Sequence, residues 1–175
     1  TIGMQTLAIT PASIPTATAG SPYTTSFSVS GGIAPYVLAQ AGALPAGVTF
    51  NAGTGTLSGT PTESGSFAIS ITATDSTGGV PATVTANYTL QVNSPTLSLA
   101  PGSLPAGSGG TPYSQALAAS GGIAPYTYAL SAGALPAGMS LSAAGLISGT
   151  PTSVGTFNFT ATASDSTGGT AATVS

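Results

Sequence analysis

Three side chains of the 175 residues carry a formal charge, and all three are carboxylates: Glu63, Asp75 and Asp165. Two of them open the same five-residue string, Asp75-Ser76-Thr77-Gly78-Gly79 and Asp165-Ser166-Thr167-Gly168-Gly169. A loop carboxylate among hydroxyls and glycines has two uses. It can ligate a hard cation such as Ca²⁺, or it can cap its own turn by accepting hydrogen bonds from the main chain. Calcium draws roughly 6–8 oxygen ligands and usually several carboxylates. One carboxylate per string is a poor set, so Asp75 and Asp165 are weak calcium candidates and the turn cap is the preferred reading.

Acid–base catalysis by paired carboxylates needs separations of roughly 5–9.5 Å. Asp75 and Asp165 are 90 residues apart in equivalent strings, and a domain of that size has a radius of gyration of roughly 12 Å. They are not expected to meet. Glu63 has Ser153 at the equivalent position, so no acid pair recurs. No catalytic residue is assigned, and the chain is not expected to be an enzyme.

The missing residue types narrow the field further. Lys, Arg, His, Cys and Trp are absent. Without His or Cys, the common metal ligands and general bases are gone. A Ser-His-Asp triad, a Cys-His pair and a Lys Schiff base are impossible within this chain. Without Lys or Arg nothing neutralises phosphates, so nucleic acid is not an expected partner and neither is an anionic membrane surface. No apolar run reaches the roughly 18 residues of a membrane span, so no direct membrane insertion is expected. The glycine pairs cradle no phosphate, since no lysine or helix follows them. No cofactor is assigned beyond the weak calcium reading.

Other polar features have a plain reading beside a functional one. Asn87-Tyr88-Thr89 and Asn158-Phe159-Thr160 match the N-glycosylation acceptor pattern, although Asn87 and Asn158 read more simply as polar residues on a solvent-facing strand. Tyr23, Tyr36, Tyr113 and Tyr126 could stack sugars. Their placement at strand starts makes them core-edge residues first.

The organisation behind these residues is a tandem repeat. Ser30-Gly31-Gly32-Ile33-Ala34-Pro35-Tyr36 recurs as Ser120 to Tyr126 at an offset of 90. Gly42-Ala43-Leu44-Pro45-Ala46-Gly47 recurs as Gly133 to Gly138 at 91, and Ser58 to Thr62 recurs as Ser148 to Thr152 at 90. One residue is thus gained before the Leu-Pro turn and one is lost after it, both next to turns. The phase of the repeat predicts that residues 1–3 are the tail of a preceding repeat. It also predicts that the last strand of the second copy is incomplete.

Within each copy the apolar residues alternate. Phe67-Ala68-Ile69-Ser70-Ile71-Thr72 has period two, as has Phe157-Asn158-Phe159-Thr160, which predicts half-buried strands with Phe67, Ile69 and Ile71 inward and Thr72 outward. Turn signals fall between them about every ten residues. The pattern predicts about seven short strands per copy, near 6–10, 24–30, 36–41, 48–50, 55–58, 65–74 and 83–92. That amounts to an all-β chain of two immunoglobulin-like β-sandwiches, residues 1–94 and 95–175.

The ordered motifs Gly31 to Tyr36, Leu44 to Gly47, Gly55 to Thr62, Gly65 to Phe67 and Ala73 to Gly79 resemble the He_PIG type of Ig-like repeat, found in tandem in bacterial and archaeal surface proteins and adhesins. The chain is similar also to cadherin-like domains. This resemblance implies an extracellular, cell-surface or secreted spacer or adhesive segment, whose partners are neighbouring repeats or neighbouring subunits. Two alternatives follow: a filament subunit joined by β-strand complementation, and an adhesin domain that binds host or surface glycans. With few titrating groups, stability is expected to depend weakly on pH.

Overall fold

The computed structural model describes residues 6–169 and 173–174; the expectation for residues 1–3 lies outside them. The chain divides into two compact units, Thr1–Ser94 and Pro95–Ser175.

In the first unit, strands β1 (Ala8–Thr10), β2 (Ala17–Thr18), β3 (Tyr23–Ser26), β4 (Ser28–Ser30) and β5 (Val37–Ala41) precede β6 (Val48–Asn51), β7 (Thr56–Gly59), β8 (Gly65–Thr74) and β9 (Thr83–Asn93). One sheet has the order β2-β9-β8-β5, a second has β3-β7-β6, and β1 pairs with β4. The two long strands form its spine, antiparallel from Gly65↔Val92 to Thr74↔Thr83. Period-two burial follows: Ile69, Ile71 and Ala73 of β8 and Tyr88, Leu90 and Val92 of β9 are buried. They face Leu57, Val48 and Tyr23 of the other sheet, which are buried too. Aromatic rings bridge the layers: the Phe27 centroid lies 5.1 Å from Tyr88 and 6.2 Å from Phe50. All nine strands and their two packed layers make a β-sandwich.

Two features differ from the strand pattern expected above. The segment 24–30 is two strands, because the Phe27 N–H donates to Gly55 O at 2.7 Å and buries its ring, after which the chain leaves β7 to pair with β1. Strand β2 was not expected; it pairs parallel with the end of β9, Ala17↔Val92 and Thr18↔Asn93. Phe67 is only half-buried, while Thr72 points outward and shares a hydrogen bond with Thr85 across the sheet at 2.8 Å.

The second unit repeats the plan with β10 (Ser98–Ala100), β11 (Tyr113–Ala116), β12 (Ala118–Ser120), β13 (Thr127–Gly133), β14 (Met139–Leu141), β15 (Leu146–Gly149), β16 (Phe159–Ser164) and β17 (Thr173–Val174). The sheets are β13-β16-β17 and β11-β15-β14, with β10 paired to β12. The residue gained in this copy lies within a strand: the pairing of β13 with β16 shifts between Leu130 and Ala132, which makes Ser131 a β-bulge. The compensating loss shortens the turn between β14 and β15, where Ser142 N–H donates to Leu146 O at 2.9 Å. Strand β16 has six residues where β8 has ten.

Candidate functional site

The two aspartates sit at equivalent places. Asp75 follows the last residue of β8 and Asp165 follows the last residue of β16. Both are buried, at 5% and 6% exposure. The glycine-rich loop before β5, residues 31–36, folds over Asp75, and its counterpart before β13 folds over Asp165.

The Asp75 carboxylate accepts four hydrogen bonds. Oδ1 takes the N–H of Ala82 at 2.7 Å and of Thr77 at 3.2 Å; Oδ2 takes the Thr77 hydroxyl at 2.5 Å and the Ile33 N–H at 3.1 Å. A carboxylate has about four lone-pair positions, and these bonds use them all. The connection is reciprocal, since Asp75 N–H donates to Ala82 O and Ser76 donates both its N–H and its hydroxyl to Ile33 O. The side chain therefore ties its own loop to a loop 42 residues earlier in sequence.

Asp165 does the same. Oδ2 accepts from Ile123 N–H at 3.0 Å and from the Thr167 hydroxyl, and Oδ1 accepts from Thr167 N–H at 3.2 Å. Ser166 donates to Ile123 O and Ala124 O. Thr167 is itself buried.

The glycine pair is explained by this packing. Gly31 has φ +80° and Gly32 φ +59°. A Cβ on Gly31 would lie 2.2 Å from Thr6 O, and one on Gly32 would lie 2.7 Å from Asp75 Oδ2. The Tyr36 hydroxyl closes the loop by donating to Gly31 O at 2.6 Å, as Tyr126 does to Gly121 O.

The electrostatics follow from the bonds. The Thr77 hydroxyl, then the N–H groups of Ala82, Ile33 and Thr77, hold the Asp75 carboxyl below the usual aspartate range, against the upward push of desolvation. An ionised carboxylate with its acceptor positions filled is a structural anion. Its hydrogen bonds must be given up before a proton or a cation can take those positions.

Glu63 is placed elsewhere. Its Oε1 accepts from Ala46 N–H at 2.7 Å, which holds the Leu-Pro turn. Glu63 precedes β8 and Asp75 follows it, and a ten-residue strand spans roughly 30 Å. The two carboxylates are not brought together. Among the described residues no group of three or more His, Cys, Asp or Glu could hold a metal ion.

The tyrosines considered as a sugar platform are tied down. Tyr23 is buried and its hydroxyl donates to Pro15 O; Tyr113, half-buried, donates to Pro105 O. Asn87 and Asn158 are both exposed. Sequence reasoning missed Thr77 and Thr167, which give the aspartates two hydrogen bonds each, and missed Ile33 and Ile123, whose main-chain N–H groups complete the clasp. The signal was the recurrence of the whole Asp-Ser-Thr-Gly-Gly string together with the Gly-Gly-Ile string.

Among solved structures the chain is similar to the protocadherin GammaB4 extracellular domain, with 15% identity, a TM-score of 0.43 and coverage of 97% of this chain and 33% of that one. It is similar to mouse cadherin-23 EC22-24, with 14% identity, a TM-score of 0.41 and coverage of 97% and 64%. It is similar to an endo-fucoidan hydrolase of glycoside hydrolase family 107, with 20% identity, a TM-score of 0.38 and coverage of 99% and 28%. The chain spans less than two thirds of each of these proteins. No curated protein matches it. The family model described as "Putative Ig domain" matches residues 5–93 and again residues 95–175. Two such matches over a chain whose units are both all-β make it a member of that Ig-domain family, with two copies in tandem.

Proposed function

We propose that the chain is a structural and adhesive extracellular repeat, a stalk or fibre segment of a prokaryotic surface protein, with one repeat at 1–94 and the next at 95–175. One observation carries this reading: the side chains able to do chemistry are used up inside their own unit. Asp75 fills its acceptor positions with its own loops, and Glu63 holds a turn. All six tyrosine hydroxyls bond a main-chain group of their own unit. Neighbouring strands are laced by hydroxyl pairs, Thr10 with Ser28 and Ser98 with Ser120, where other sheets use ion pairs. A fold with three charged side chains in all, and those bonded at short range, resists changes of salt, and a chain without Lys or Arg offers trypsin-like proteases no site. Its partners are neighbouring repeats or subunits. The Asp75 carboxylate, with four hydrogen bonds from its own loops, needs no calcium to hold it in place. Among the described residues no helix is long and apolar enough to cross a membrane. The test is antibody labelling and protease shaving of intact cells of the source organism. Surface labelling is expected, and a chain confined to the cytosol would overturn the reading.

A second reading is assembly of subunits by strand addition at an unpaired sheet edge. Among the described residues no strand lies beside Gly155–Asn158. Size-exclusion chromatography and electron microscopy of the purified chain test it: polymers support assembly, and a strict monomer at high concentration contradicts it.

A further inference from the structure

Each unit carries one Asn-x-Thr string, Asn87-Tyr88-Thr89 and Asn158-Phe159-Thr160. The strings fall at different points of the repeat, yet the fold brings both to the same patch. In the first unit Asn87 of β9 pairs with Ser70 of β8, and Thr89 pairs with Ala68. At an offset of 90 the residue equivalent to Ala68 is Asn158. Position 68 is the diagonal neighbour of Asn87 on the outer face of the sheet, where such pairs lie roughly 7–8 Å apart. Both asparagines are exposed. The aromatic residue inside each string turns the other way: Tyr88 is buried and Phe159 is half-buried. Period two then sets Asn87 and Thr89 side by side facing solvent.

The surroundings of Asn87 leave room above it. A shallow hollow of about 380 Å³ opens beside it, with Ala41, Gly42, Ala68, Ser70 and Thr89 among its walls. Ala41 of β5 lies opposite Ser70, so the row that crosses the sheet at the level of Asn87 is made of short side chains. No charged residue lines the hollow. At this level β9 is also the margin of its sheet: β2 pairs with it only at Val92 and Asn93, and among the described residues no other strand lies on that side. The other two asparagines lack these features. Asn51 is followed by Ala52-Gly53, and its Oδ1 accepts the N–H of Gly53 at 2.9 Å and of Thr54 at 3.2 Å. Asn93 is followed by Ser94-Pro95, with no hydroxyl at the third position.

We propose that Asn87 and Asn158 are acceptors of N-linked sugar, one on the outer sheet face of each unit. The donor is a sugar activated at its anomeric carbon by a phosphate leaving group, delivered by a glycosyltransferase of the cell. The Asn87 side-chain nitrogen bonds to the anomeric carbon. The bond from that carbon to the phosphate oxygen breaks, its electron pair leaves with the phosphate, and the amide nitrogen gives one proton to the transferase. The Thr89 hydroxyl, on the same side of the strand, supplies the second group of the acceptor pattern. The first sugar ring lies in the hollow over Ala68 and Ser70. A sugar in the middle of β9 also shields a strand margin that, in a chain without Lys or Arg, lacks the charges that commonly keep such margins from pairing. The inference goes beyond the structural reading and rests on it only for access to a transferase that modifies surface proteins.

The experiment recovers the chain from surface and cytosolic fractions of its source organism, digests it with pepsin and maps attached sugar by tandem mass spectrometry. Sugar is expected at Asn87 and Asn158 and at neither Asn51 nor Asn93. Asn87→Gln should lose the first sugar, Thr89→Ala should lose it too, and Thr89→Ser should keep it. Asn87 and Thr89 are exposed, so these variants leave the fold in place. Bare asparagines on a chain taken from the surface overturn this inference and leave the surface reading standing. Sugar at Asn87 on a chain confined to the cytosol supports the acceptor and overturns the surface reading. A sugar that survives Asn87→Gln and disappears in Thr89→Ala is linked to the hydroxyl and overturns the inference.

Discussion

Gly32 lies against the carboxylate of Asp75: a Cβ on the glycine would sit 2.7 Å from Asp75 Oδ2 and 2.8 Å from Leu7 Cδ2. Gly122 and Asp165 stand in the same relation, at 2.5 Å. The contact joins two loops that the sequence separates by more than forty residues. It requires a residue with no side chain and a positive φ on one side, and a buried anion on the other. Each unit thus closes one end of its sandwich with a short-range electrostatic clasp.

Gly32→Ala meets both a φ of +59° and the carboxylate, and should lower the melting temperature of its unit by roughly 10 °C. Gly78→Ala is the control, since a Cβ there meets nothing within 4 Å and the backbone angle is ordinary. It should leave melting within about 2 °C of the parent chain. Calorimetry of both variants checks the contrast, and equal effects would remove the clasp from the explanation.

Asp75→Asn keeps the shape but replaces one acceptor oxygen with an NH₂ that faces N–H or hydroxyl donors. The variant should melt lower by about 5 °C or more, and amide exchange should rise at Ile33 and Ala82. Thr77→Val, which removes only the hydroxyl donor, should give a smaller drop with exchange at Ala82 nearly unchanged. Exchange measured by NMR distinguishes loss of the clasp from general loosening.

Stability should be flat in the middle of the pH range and fall at both ends. The Asp75 carboxyl is held below its ordinary value, so its contribution is present above about pH 4 and is lost as pH falls through the folded value. Burial raises the phenols of Tyr23 and Tyr88 above 10, so their contribution is present below about pH 10 and is lost as pH rises through the folded values. The general expectation of weak pH dependence therefore holds for the plateau alone. A melting temperature that rises on acidification from pH 7 to pH 3 would contradict the assignment.

Strand positions were legible where residues alternate over a long span. The segment expected at 65–74 is β8, and that at 83–92 is β9 with one residue more. Ala17–Thr18 was not legible, because two small residues carry no period and their parallel partner lies 75 residues away. Ser131 shows in the repeat offset as an insertion, and only strand pairing reveals a bulge in place of a longer turn. The turn-cap reading of the aspartates came from the glycines that follow them and did not include the Thr77 and Thr167 hydroxyls. Their bond to Ile33 or Ile123 N–H was not legible, because any residue type offers a main-chain donor.

The central claim is that two Ig-like repeats act as a metal-independent structural spacer. Single-molecule force extension of the chain, in calcium and then in chelator, tests it most directly. The account predicts two separate unfolding events, each adding roughly 250–300 Å of contour length, at forces that do not change when calcium is removed. A smooth extension without force peaks, or unfolding forces that collapse in chelator, would contradict it.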